Sequence, residues 1–473
     1  MSNRYDVIIV GAGIGGLICG TKLAKKGLKV LIIEKHTTPG GCVTSRRKMG
    51  FNFDYGAHIF GSCNKNGILR YYLEALGVKF DFIKIEPTER FIFPDDTIEV
   101  PVNIEEYAEL LKKKFGSEAG NVDLFFSEVV RIARSFSSDK LLSRYDGLTF
   151  ESLLRKYFKD ERLMSVLSAE FRYMGSNPTT LAASSMCLMM VSYLRDGAYY
   201  PRGGTQILPD SIAHRFKSFG GTILLDREVS EILIKNGKAC GVLTKDKTAY
   251  ESDTVVSNGD ALRTMTELVD SHNVNKAYLK KIKDLRVGSS FFMMFLGVKG
   301  GAALRDKSGW YHFSYGLDLE PSQSLYMFVP SLQDSSLAPP GKNVLEIAMP
   351  LPYRYGDITD WGLCKKEMRG RVMNIVNKII PGIDSLIEYE ESATPRTIQR
   401  FTHNSQGSIC GWAMDSDQVH GGRLSHKTPI GSLFLAGHWT NPGCGVVSVA
   451  TSGWIVADMV SDKVSLEKIS AAF

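Results

Sequence analysis

The chain has 473 residues, of which 44% are hydrophobic and 23% charged, and its formal net charge is +6. This length exceeds one simple core, so we expect two or three intergrown domains. The mild charge and the lack of a long basic run exclude nucleic acid as a partner. No apolar run reaches the ~20 residues that a membrane-spanning helix needs.

The eight cysteines are scattered, and they form neither a CxxC pair nor a Cys/His spacing of the kind that binds metal. We therefore expect no metal site. A strand that starts at Tyr5 leaves no room for a signal peptide, which predicts a cytoplasmic location. The lysine clusters at 112–114 and 280–283 are interpreted as solvated helix faces. Their alternative role is a weak peripheral contact with an anionic membrane surface.

The first 35 residues read as a complete β-α-β unit. Residues 7–10 form a β-branched run, as expected of a buried parallel strand. The turn Gly11-Ala12-Gly13-Ile14-Gly15-Gly16 follows, then a predicted helix at 17–26 that ends before Gly27, and a second strand at 28–34. This is the context that the GxGxxG motif of dinucleotide-binding proteins requires.

Three glycines of that motif have separate physical roles. Gly11 permits the tight turn, Gly13 lets the backbone approach a pyrophosphate, and Gly16 allows the helix to pack closely on the strand. The helix N-terminus carries partial positive charge toward the phosphates. Glu34, at the end of the second strand, can accept hydrogen bonds from a ribose, and its charge disfavours the 2′-phosphate of NADP.

The rest of the chain alternates between helical and strand-like regions. Residues 71–163 are predicted to be mostly helical, and 163–194 to continue as helix with a break near Asn177-Pro178. The uncharged stretch 179–194 is interpreted as a buried helix, with or without a role in lining a greasy substrate tunnel, in preference to a helix that dips into one membrane leaflet. Further helices are predicted at 207–219, 365–380 and 446–460. Strands are predicted at 91–100, 221–225, 229–235, 240–244, 253–257, 287–298, 326–330, 343–350 and 432–436, with Asn236-Gly237 as a hairpin turn.

Four motif-bearing segments then point to a known family. A glycine pair soon after the second strand, Gly40-Gly41, is typical of flavoproteins. The segments are 7–34, 39–58 (with Gly56-Ala57-His58), 200–232 (with Tyr200-Pro201-Arg202-Gly203-Gly204) and 433–453 (with Ala436-Gly437-His438 and Pro442-Gly443-Cys444-Gly445). With these, the chain resembles the phytoene desaturase, carotenoid isomerase and retinol saturase group of the amine oxidase-like FAD superfamily.

The resemblance implies an α/β fold with FAD as cofactor. It implies a Rossmann-type FAD-binding domain (GR2-like flavoprotein fold) with an interleaved α+β substrate domain. The FAD-binding domain is expected to be discontinuous, over 1–75, 200–265 and 420–473. The substrate-binding domain is expected over 76–199 and 266–419, with a helical part at about 100–199 and an antiparallel sheet.

The resemblance also implies the residues that contact the cofactor. They are Gly11, Gly13, Ile14, Gly15, Gly16, Glu34, Lys35, Gly40, Gly41, Cys42, Arg46, Arg47, Ala57, His58, Val229, Gly437, His438, Gly445 and Val446. Gly445 and Val446 fall at the start of the last helix, whose dipole would stabilise an anionic reduced flavin.

Three positions depart from the family pattern. Cys42 replaces an arginine that many relatives have after the glycine pair, and Arg46 or Arg47 is expected to supply that charge. His438 replaces an acidic residue, which puts the usual ribityl contact in doubt. Cys410 lies at the spacing of the flavin-linking cysteine of monoamine oxidases. A covalent thioether is therefore one hypothesis, but we favour a buried free cysteine because thiols are commonly buried.

For catalysis, the resemblance brings His58 beside the flavin ring, where it can steer a proton; a histidine bonded to backbone is the equally weighted alternative. Arg172 and Tyr173 are further candidates. They belong to Phe171-Arg172-Tyr173-Met174, which with Tyr199 and Tyr200 can line a substrate channel or simply pack. Four methionines fit a pliable apolar cavity or an ordinary core: Met189, Met190, Met293 and Met294.

The favoured function is an FAD-dependent oxidoreductase that desaturates, saturates or isomerises a hydrophobic polyene or isoprenoid. No second dinucleotide glycine motif is present, so the electron acceptor is expected to be oxygen, a quinone or another carrier. Two alternatives remain open. One is an FAD-dependent amine or aminoacyl-type oxidase of secondary metabolism with a polar site. The other is a binding protein without turnover, related to GDP-dissociation inhibitors, which the retained flavin-facing segments disfavour.

Overall fold

The computed structural model describes residues 4–135, 142–318, 323–351, 356 and 358–470, with side chains of the last helix as far as Asp462. Its strands, in chain order, are β1 (Arg4–Val10), β2 (Val30–Ile33), β3 (Ser45–Lys48), β4 (Phe51–Asp54), β5 (Phe60–Gly61), β6 (Phe82–Ile85), β7 (Glu89–Ile92), β8 (Thr97–Val100), β9 (Ala198–Pro201), β10 (Thr222–Leu224), β11 (Val229–Lys235), β12 (Lys238–Thr244), β13 (Ala249–Ser257), β14 (Ser290–Lys299), β15 (Gly309–His312), β16 (Ser324–Phe328), β17 (Lys342–Leu351), β18 (Ile387–Ala393) and β19 (Leu433–Leu435).

The described α-helices lie between these strands. They are α1 (Ile14–Lys25), α2 (Ile68–Leu76), α3 (Ile104–Lys114), α4 (Ala119–Arg134), α5 (Phe150–Tyr157), α6 (Glu161–Ser168), α7 (Ala183–Leu194), α8 (Ile207–Ser218), α9 (Ala261–Arg263), α10 (Lys276–Asp284), α11 (Trp361–Ile379), α12 (Pro395–Thr402) and α13 (Val446–Ser470). A 3-10 segment, Ala169–Met174, connects α6 to the loop before α7.

The first sheet has a parallel centre. Its strand order is β10-β2-β1-β13-β12-β11, and β19 pairs with the far end of β13. The pairs among β10, β2, β1, β13 and β19 are parallel, whereas β11, β12 and the start of β13 form an antiparallel meander. Parallel strands place their carboxyl ends at one edge, which is where ligands bind in open α/β sheets.

Both faces of this sheet are covered, as its continuous apolar strands require. Val7 and Ile9 of β1 pack in one buried cluster with Leu17 of α1, and α8 and α13 add side chains to the same cluster. Ile8 points to the opposite face and packs in a second cluster with residues of β11 and β12. The alternation along β1 follows from the period of two in a strand.

The second sheet, in the order β18-β14-β17-β16-β15-β7-β8, is antiparallel except at one pair. Strand β14 is buried along nine of its ten residues because α11 packs on one face and the cavity wall and helical layer lie on the other. The exception is β15, which pairs in parallel with β7. The predicted antiparallel sheet is therefore present, but it is extended by a parallel pair with a segment from much earlier in the chain.

Two smaller sheets connect these layers. Strands β3 and β4 form a hairpin after the glycine pair. Strand β9 pairs with both β5 and β6, so the turn-like motif at residue 200 begins as a strand. The sequence prediction missed β5, β6 and β9, since each is too short to show a period.

The predicted strand at 91–100 is wrong as a single strand. Residues 89–100 form the hairpin β7–β8, and the turn is closed by a 2.8 Å hydrogen bond from the Phe93 N–H to the Asp96 carbonyl oxygen. Pro94-Asp95-Asp96 is turn chemistry that the apolar reading overlooked. Within the predicted helical stretch 71–163, residues 136–141 lie outside the described residues.

Candidate active site

A cavity of about 1370 Å³ extends from the carboxyl edge of the first sheet to the inner face of the second. Most of the predicted site residues line it: Gly11, Gly13, Ile14, Glu34, Lys35, Gly40, Gly41, Cys42, Arg46, Ala57, His58, Tyr173, Val229, Gly437, His438, Gly445 and Val446. The structure thus brings together residues from the start, middle and end of the chain.

Four predicted residues do not belong to this wall. Gly15 and Gly16 lie in the first turn of α1, where a Cβ at Gly16 would be 2.3 Å from the Gly11 carbonyl oxygen. Arg47 points away and donates to the Gly50 and Ser336 carbonyl oxygens. Arg172 is buried, with its guanidinium 4.2 Å from the centre of the Phe171 ring. The two glycines therefore act through packing, whereas Arg47 and Arg172 lie outside the cavity.

The glycine turn connects β1 to α1 at the cavity floor. Gly11 has a φ of +96°, which favours glycine. The turn leads directly into α1 at Ile14, so the helix N-terminus opens into the cavity. Gly40 approaches the same turn, and its N–H donates to the Ala12 carbonyl oxygen at 2.8 Å. The result is a side-chain-free floor next to a helix N-terminus, which suits a pyrophosphate.

Asn258, at the end of β13, is a residue that the sequence reasoning missed. A Cβ at Gly13 or Gly15 would lie 2.8 Å or 2.6 Å from its side-chain amide. Its buried Oδ1 has no hydrogen-bond partner within the described ranges, and the residue lines the cavity. Its signal was its place, since it follows a parallel strand at the ligand-binding edge of the sheet.

Glu34 terminates β2 and is 6% exposed. Its Oε2 accepts a hydrogen bond from the Ala12 N–H at 2.8 Å and its Oε1 accepts one from the His36 N–H at 3.0 Å. Each carboxylate oxygen keeps further acceptor capacity for a ligand hydroxyl. Burial lowers the pKa of the neighbouring Lys35 to about 8, against the opposing charges of Glu228 and Glu34.

The second helix N-terminus at the cavity belongs to α13. Gly437 and Gly445 have φ values of +98° and +93°, and both line the cavity just before the helix begins at Val446. Burial, with the charge of Arg423, lowers the pKa of His438 to about 4, so this imidazole is neutral at neutral pH. His438 therefore does not replace the negative charge that many relatives carry there.

These features together test whether FAD fits. The side-chain-free cradle, the unpartnered Asn258 amide oxygen, the Glu34 carboxylate and two helix N-termini all face one continuous cavity. Anionic phosphates are stabilised at helix N-termini, and backbone N–H groups are their natural donors. The residues present fit a dinucleotide of the length of FAD.

Beyond this cradle the wall is mostly apolar. Helix α7 contributes Leu188, Met189 and Val191, so the predicted buried helix also lines the cavity. Met293 of β14 lines it as well, whereas Met190 of α7 packs in the core and Met294 faces the opposite side of the sheet. Tyr199 and Tyr200 do not reach the wall.

Three cysteines lie on the cavity wall. Burial raises the pKa of the Cys42 thiol to about 11, although a hydrogen bond with Asn404 opposes the shift. A hydrogen bond with Cys444, together with burial, keeps the pKa of Cys410 well above its usual range. Cys410 is thus a free, protonated, buried thiol at the cavity, and its covalent link to a flavin remains a hypothesis.

His58 lies against an acidic partner from a distant part of the chain. Its Nε2 lies 2.7 Å from Oε2 of Glu346 on β17, whose Oε1 accepts a hydrogen bond from the Asp54 N–H at 2.6 Å. Burial opposes a charge on His58, but Glu346 and Asp54 outweigh it and raise the His58 pKa above its usual value. Burial raises the pKa of Glu346 to about 7 despite His58. The pair can therefore hold a proton at the cavity near neutral pH.

Glu346 was also missed, although the sequence held a signal. It is the single acidic residue of the mostly apolar strand β17, and it is 2% exposed. A buried carboxyl group in such a strand normally has a partner. The sequence analysis did not identify that partner, His58, because it comes from an early segment of the chain.

In the described ranges, no group of three or more potential metal-ligating residues forms a metal site. Over the same residues, none of the helices combines the length and the apolar character needed to cross a membrane.

Comparisons with known proteins agree with the geometry. The model of the family described as flavin containing amine oxidoreductase matches residues 14–461. Prolycopene isomerase from Arabidopsis thaliana is 29% identical to the chain, covering 98% of this chain and 84% of that protein. A neurosporene-forming phytoene desaturase from Rhodobacter capsulatus is 26% identical, covering 98% of this chain and 95% of that protein.

A solved structure extends the likeness to three dimensions. An oxidoreductase from Methanosarcina mazei superposes with a TM-score of 0.72 at 20% sequence identity, covering 96% of this chain and all of that chain. At this level of identity the likeness establishes the fold.

Proposed function

The chain belongs to the flavin containing amine oxidoreductase family, and from that premise we propose that it is an FAD-dependent enzyme acting on the conjugated double bonds of a hydrophobic polyene or isoprenoid. The reaction class is desaturation, saturation or cis-trans isomerisation of such a chain. The relatives named prolycopene isomerase and phytoene desaturase support this class, since both align over almost the whole chain.

One observation carries the proposal. The cavity begins at the glycine cradle and has a total volume of about 1370 Å³. Much of its wall consists of methionines, phenylalanines and aliphatic side chains. Ligand pockets typically occupy 300–1,000 Å³, so this one has room for a dinucleotide and an apolar substrate together. An apolar wall excludes water from the reacting bonds.

The residues that would hold FAD follow from the cradle. The turn at Gly11 and Gly13 would receive the pyrophosphate, Glu34 the adenosine ribose, and Gly437 with Gly445 the segment leading to the flavin ring. When bound, FAD supplies hydride transfer to or from carbon. Gly40, Gly41, Cys42, Arg46, Ala57, Val229 and Val446 are proposed as further contacts on the strength of their positions in the cavity wall.

We assign His58 the role of holding a proton on its imidazole, where Glu346 stabilises it, and of exchanging a proton with the substrate. Saturation of a polyene adds a hydride and a proton to carbon, and desaturation removes both; the flavin carries the hydride, so the proton needs a separate acid or base. Glu346 acts as a positioning residue, because its Oε2 lies 2.7 Å from the imidazole Nε2 and favours the charged form of the ring. Tyr173 lies on the same cavity wall.

The alternative substrate is an amine or aminoacyl-type metabolite. It would need a site that compensates a positive charge on the substrate. The sequence relatives at 26–29% identity are named for polyenes, which favours the first proposal. The two proposals can be separated experimentally, because removal of a carboxylate from the cavity affects the binding of an ammonium group and of an uncharged chain differently.

Further parts of the proposal concern organisation and partners. We propose the discontinuous FAD-binding domain over 1–75, 200–265 and 420–473, since the strands of the first sheet all fall there. We propose that oxygen or a quinone accepts the electrons. A cytoplasmic location with peripheral membrane contact is proposed too: Ile68 lines the cavity and is 41% exposed, and neighbouring Tyr71 is 57% exposed, so an apolar mouth opens at α2.

The test uses the purified holoenzyme under anaerobic conditions. We expect a flavin absorption spectrum, and bleaching of its visible band on addition of an oxidisable polyene such as phytoene; for an isomerase, a pre-reduced sample would convert a cis-polyene to its all-trans isomer. Product identity is read by mass spectrometry and chromatography. Colourless protein that takes up no FAD, or flavin that responds to amines and to no polyene, would overturn the proposal.

A further inference from the structure

One stretch of the cavity wall carries two carboxyl groups. Glu89 begins β7 and is 8% exposed, and Glu170 lies in the 3-10 segment Ala169–Met174. Both line the cavity. The Glu89 Oε2 accepts a hydrogen bond from the Tyr173 hydroxyl at 3.1 Å, and its Oε1 accepts one from the Arg90 N–H at 3.1 Å. We call the set Thr88, Glu89, Glu170, Tyr173 and Trp310 the polar patch.

Three groups of the polar patch lack a protein partner. The carboxyl group of Glu170 receives no hydrogen bond or ion pair from the described part of the chain. The Thr88 hydroxyl and the Trp310 indole N–H likewise have no hydrogen-bond partner there, although these residues are only 3% and 0% exposed and both line the cavity. Buried polar groups are normally paired, because leaving one unpaired costs about 1–3 kcal/mol. An acceptor, a hydroxyl and a donor thus remain for something that enters the cavity.

The polar patch lies beside the reacting end of the cavity. The Tyr173 ring packs edge-on against Trp310 at 5.2 Å and against Tyr326 at 5.8 Å between centroids. Tyr326 in turn lies 6.1 Å from His58. The Tyr326 ring therefore lies between the polar patch and the His58–Glu346 pair. A ligand held at the patch would thus lie close to His58.

The charge state of the patch indicates the chemistry of its ligand. Burial, reinforced by the nearby Glu170, raises the pKa of Glu89 to about 8. Burial alone raises the pKa of Glu170 to about 7. Arg90, the nearest cation to Glu89 along the chain, is already paired with Glu99 and Asp306. Near neutral pH Glu89 is therefore mostly protonated and Glu170 partly so, and in their protonated forms both act as uncharged donors and acceptors.

An uncharged hydroxyl is the group that matches this set. It donates one hydrogen bond and accepts two, so it can pair with a carboxyl group and an indole N–H at once. A pure hydrocarbon would leave all of these groups unpaired and would bury them further. An ammonium group would demand ionised carboxylates.

We propose that the polar patch recognises a hydroxyl-bearing end of the substrate, which makes that substrate an oxygenated polyene or isoprenoid in preference to a pure hydrocarbon, with Glu170 as the principal specificity-determining residue. This inference rests on the proposed function, because it takes the apolar part of the ligand from there.

The test compares matched ligands that differ at one end. All-trans-retinol, its analogue with CH3 in place of CH2OH, and retinylamine provide a hydroxyl, a methyl and an ammonium group on the same chain. β-Carotene and its 3-hydroxy derivative repeat the first comparison on a longer chain. Binding to the oxidised holoenzyme is measured anaerobically from the shift of the visible flavin band. We expect each alcohol to bind at least tenfold more tightly than its hydrocarbon.

Variants of Glu170 identify the contact. Glu170→Leu should weaken alcohol binding by about 10-fold to 100-fold and leave hydrocarbon binding within twofold, as expected for one hydrogen bond to a carboxyl group. Glu170→Gln should retain alcohol binding within about threefold, since an amide both donates and accepts. Glu74→Gln, at an exposed ion pair on α2, is the matched control and should change neither affinity.

The outcomes separate this inference from the proposed function. If alcohol and hydrocarbon bind equally, or if Glu170→Leu weakens both alike, the inference fails while the polyene function stands. If retinylamine binds most tightly and Glu170→Gln abolishes its binding, the patch is a cation site and the amine alternative gains. If no polyene binds at all, both proposals fail together.

Discussion

At the scale of single residues, the contact between His58 and Glu346 determines where a proton can be stored. Burial alone would make His58 a neutral imidazole, and the charge of Glu346 reverses that tendency. Removing the carboxylate should therefore lower the His58 pKa, since burial is then opposed only by Asp54. The protonated imidazole would be lost at a lower pH than in the wild type.

We expect Glu346→Gln to move the alkaline fall of the single-turnover rate to lower pH, because the active form carries a proton on His58. The glutamine oxygen can still accept from the Asp54 N–H, so the local fold is retained. His58→Asn should reduce the rate by about 100-fold or more, as general acid–base groups contribute 10²–10⁴-fold. The measurement is anaerobic stopped-flow flavin absorbance from pH 5 to 9.

Glu390→Gln provides the comparison for this experiment. Glu390 lies on β18 of the same sheet and pairs with Arg369 of α11, away from His58. Its variant should keep the wild-type pH midpoint. A Glu346→Gln profile that coincides with that of Glu390→Gln, or a His58→Asn rate within threefold of wild type, would show that the pair is structural.

The same residues show how much of the candidate site could be predicted from the sequence. His58, Glu34 and the glycines followed from motifs within short segments, because the turn and the strand end that position them are local. Glu346, Asn258 and Glu170 act through partners or cavities that exist only when distant segments meet. Arg172 shows the opposite error: it lies next to Tyr173 in sequence, but the 3-10 segment directs the two side chains to different surroundings.

At the scale of elements, the contact of β1 with α1 holds the cofactor cradle in shape. A Cβ at Gly16 would lie 2.3 Å from the Gly11 carbonyl oxygen and 3.2 Å from the Ile9 side chain. That oxygen is backbone and cannot rotate away, so α1 would have to shift from the sheet. The shift would tilt the helix N-terminus that faces the cavity.

We therefore expect Gly16→Val to lose most of its bound FAD and to unfold about 1–3 kcal/mol more easily, as overpacked sites do. The ratio of visible to ultraviolet absorbance of the purified protein measures the first effect, and denaturant unfolding the second. Gly370→Ala, within α11 and with nothing near its Cβ, is the control and should be stabilised by up to about 1 kcal/mol. Full FAD occupancy in Gly16→Val would contradict the role given to this contact.

The same scale explains which elements could be foreseen. The strands and helices of the first sheet carry local signals: β-branched runs, glycine stops and the Asn236-Gly237 turn, whose two residues both adopt positive φ. The pairing that joins the β7–β8 hairpin to the rest of the second sheet has no such local signal. Strand β7 pairs with β15, which lies more than 200 residues later in the chain, and such pairing depends on tertiary packing that no short window of sequence contains.

At the scale of the whole molecule, the cavity brings residues of the first sheet together with the inner face of the second. Its wall includes the turn at Gly13, the end of β13 at Asn258, the loop at Gly437 and the inner face of β14. Sequence reasoning predicted that the turn at Gly13 and the loop at Gly437 converge on one cofactor, but it placed neither the end of β13 nor the inner face of β14 there. It did not predict the polar patch, because that patch requires the relative placement of both sheets and the helical layer.

FAD bound in this cavity should act as a cross-link between the two sheets. A ligand that binds only the folded state stabilises it by RT ln(1 + [L]/Kd), about 2.7 kcal/mol when free FAD is 100 times its Kd. Thermal unfolding of the apoprotein should therefore occur several degrees lower than that of the holoenzyme, and the midpoint should rise with the logarithm of added FAD. Differential scanning calorimetry with the flavin band recorded in parallel measures both.

AMP, which can occupy only the adenosine end at Glu34, should restore a small part of the shift. If AMP alone restored the full shift, the flavin end would contribute nothing to holding the sheets together. A cavity spanning both sheets predicts the reverse, with the final increment appearing only when the complete dinucleotide is present.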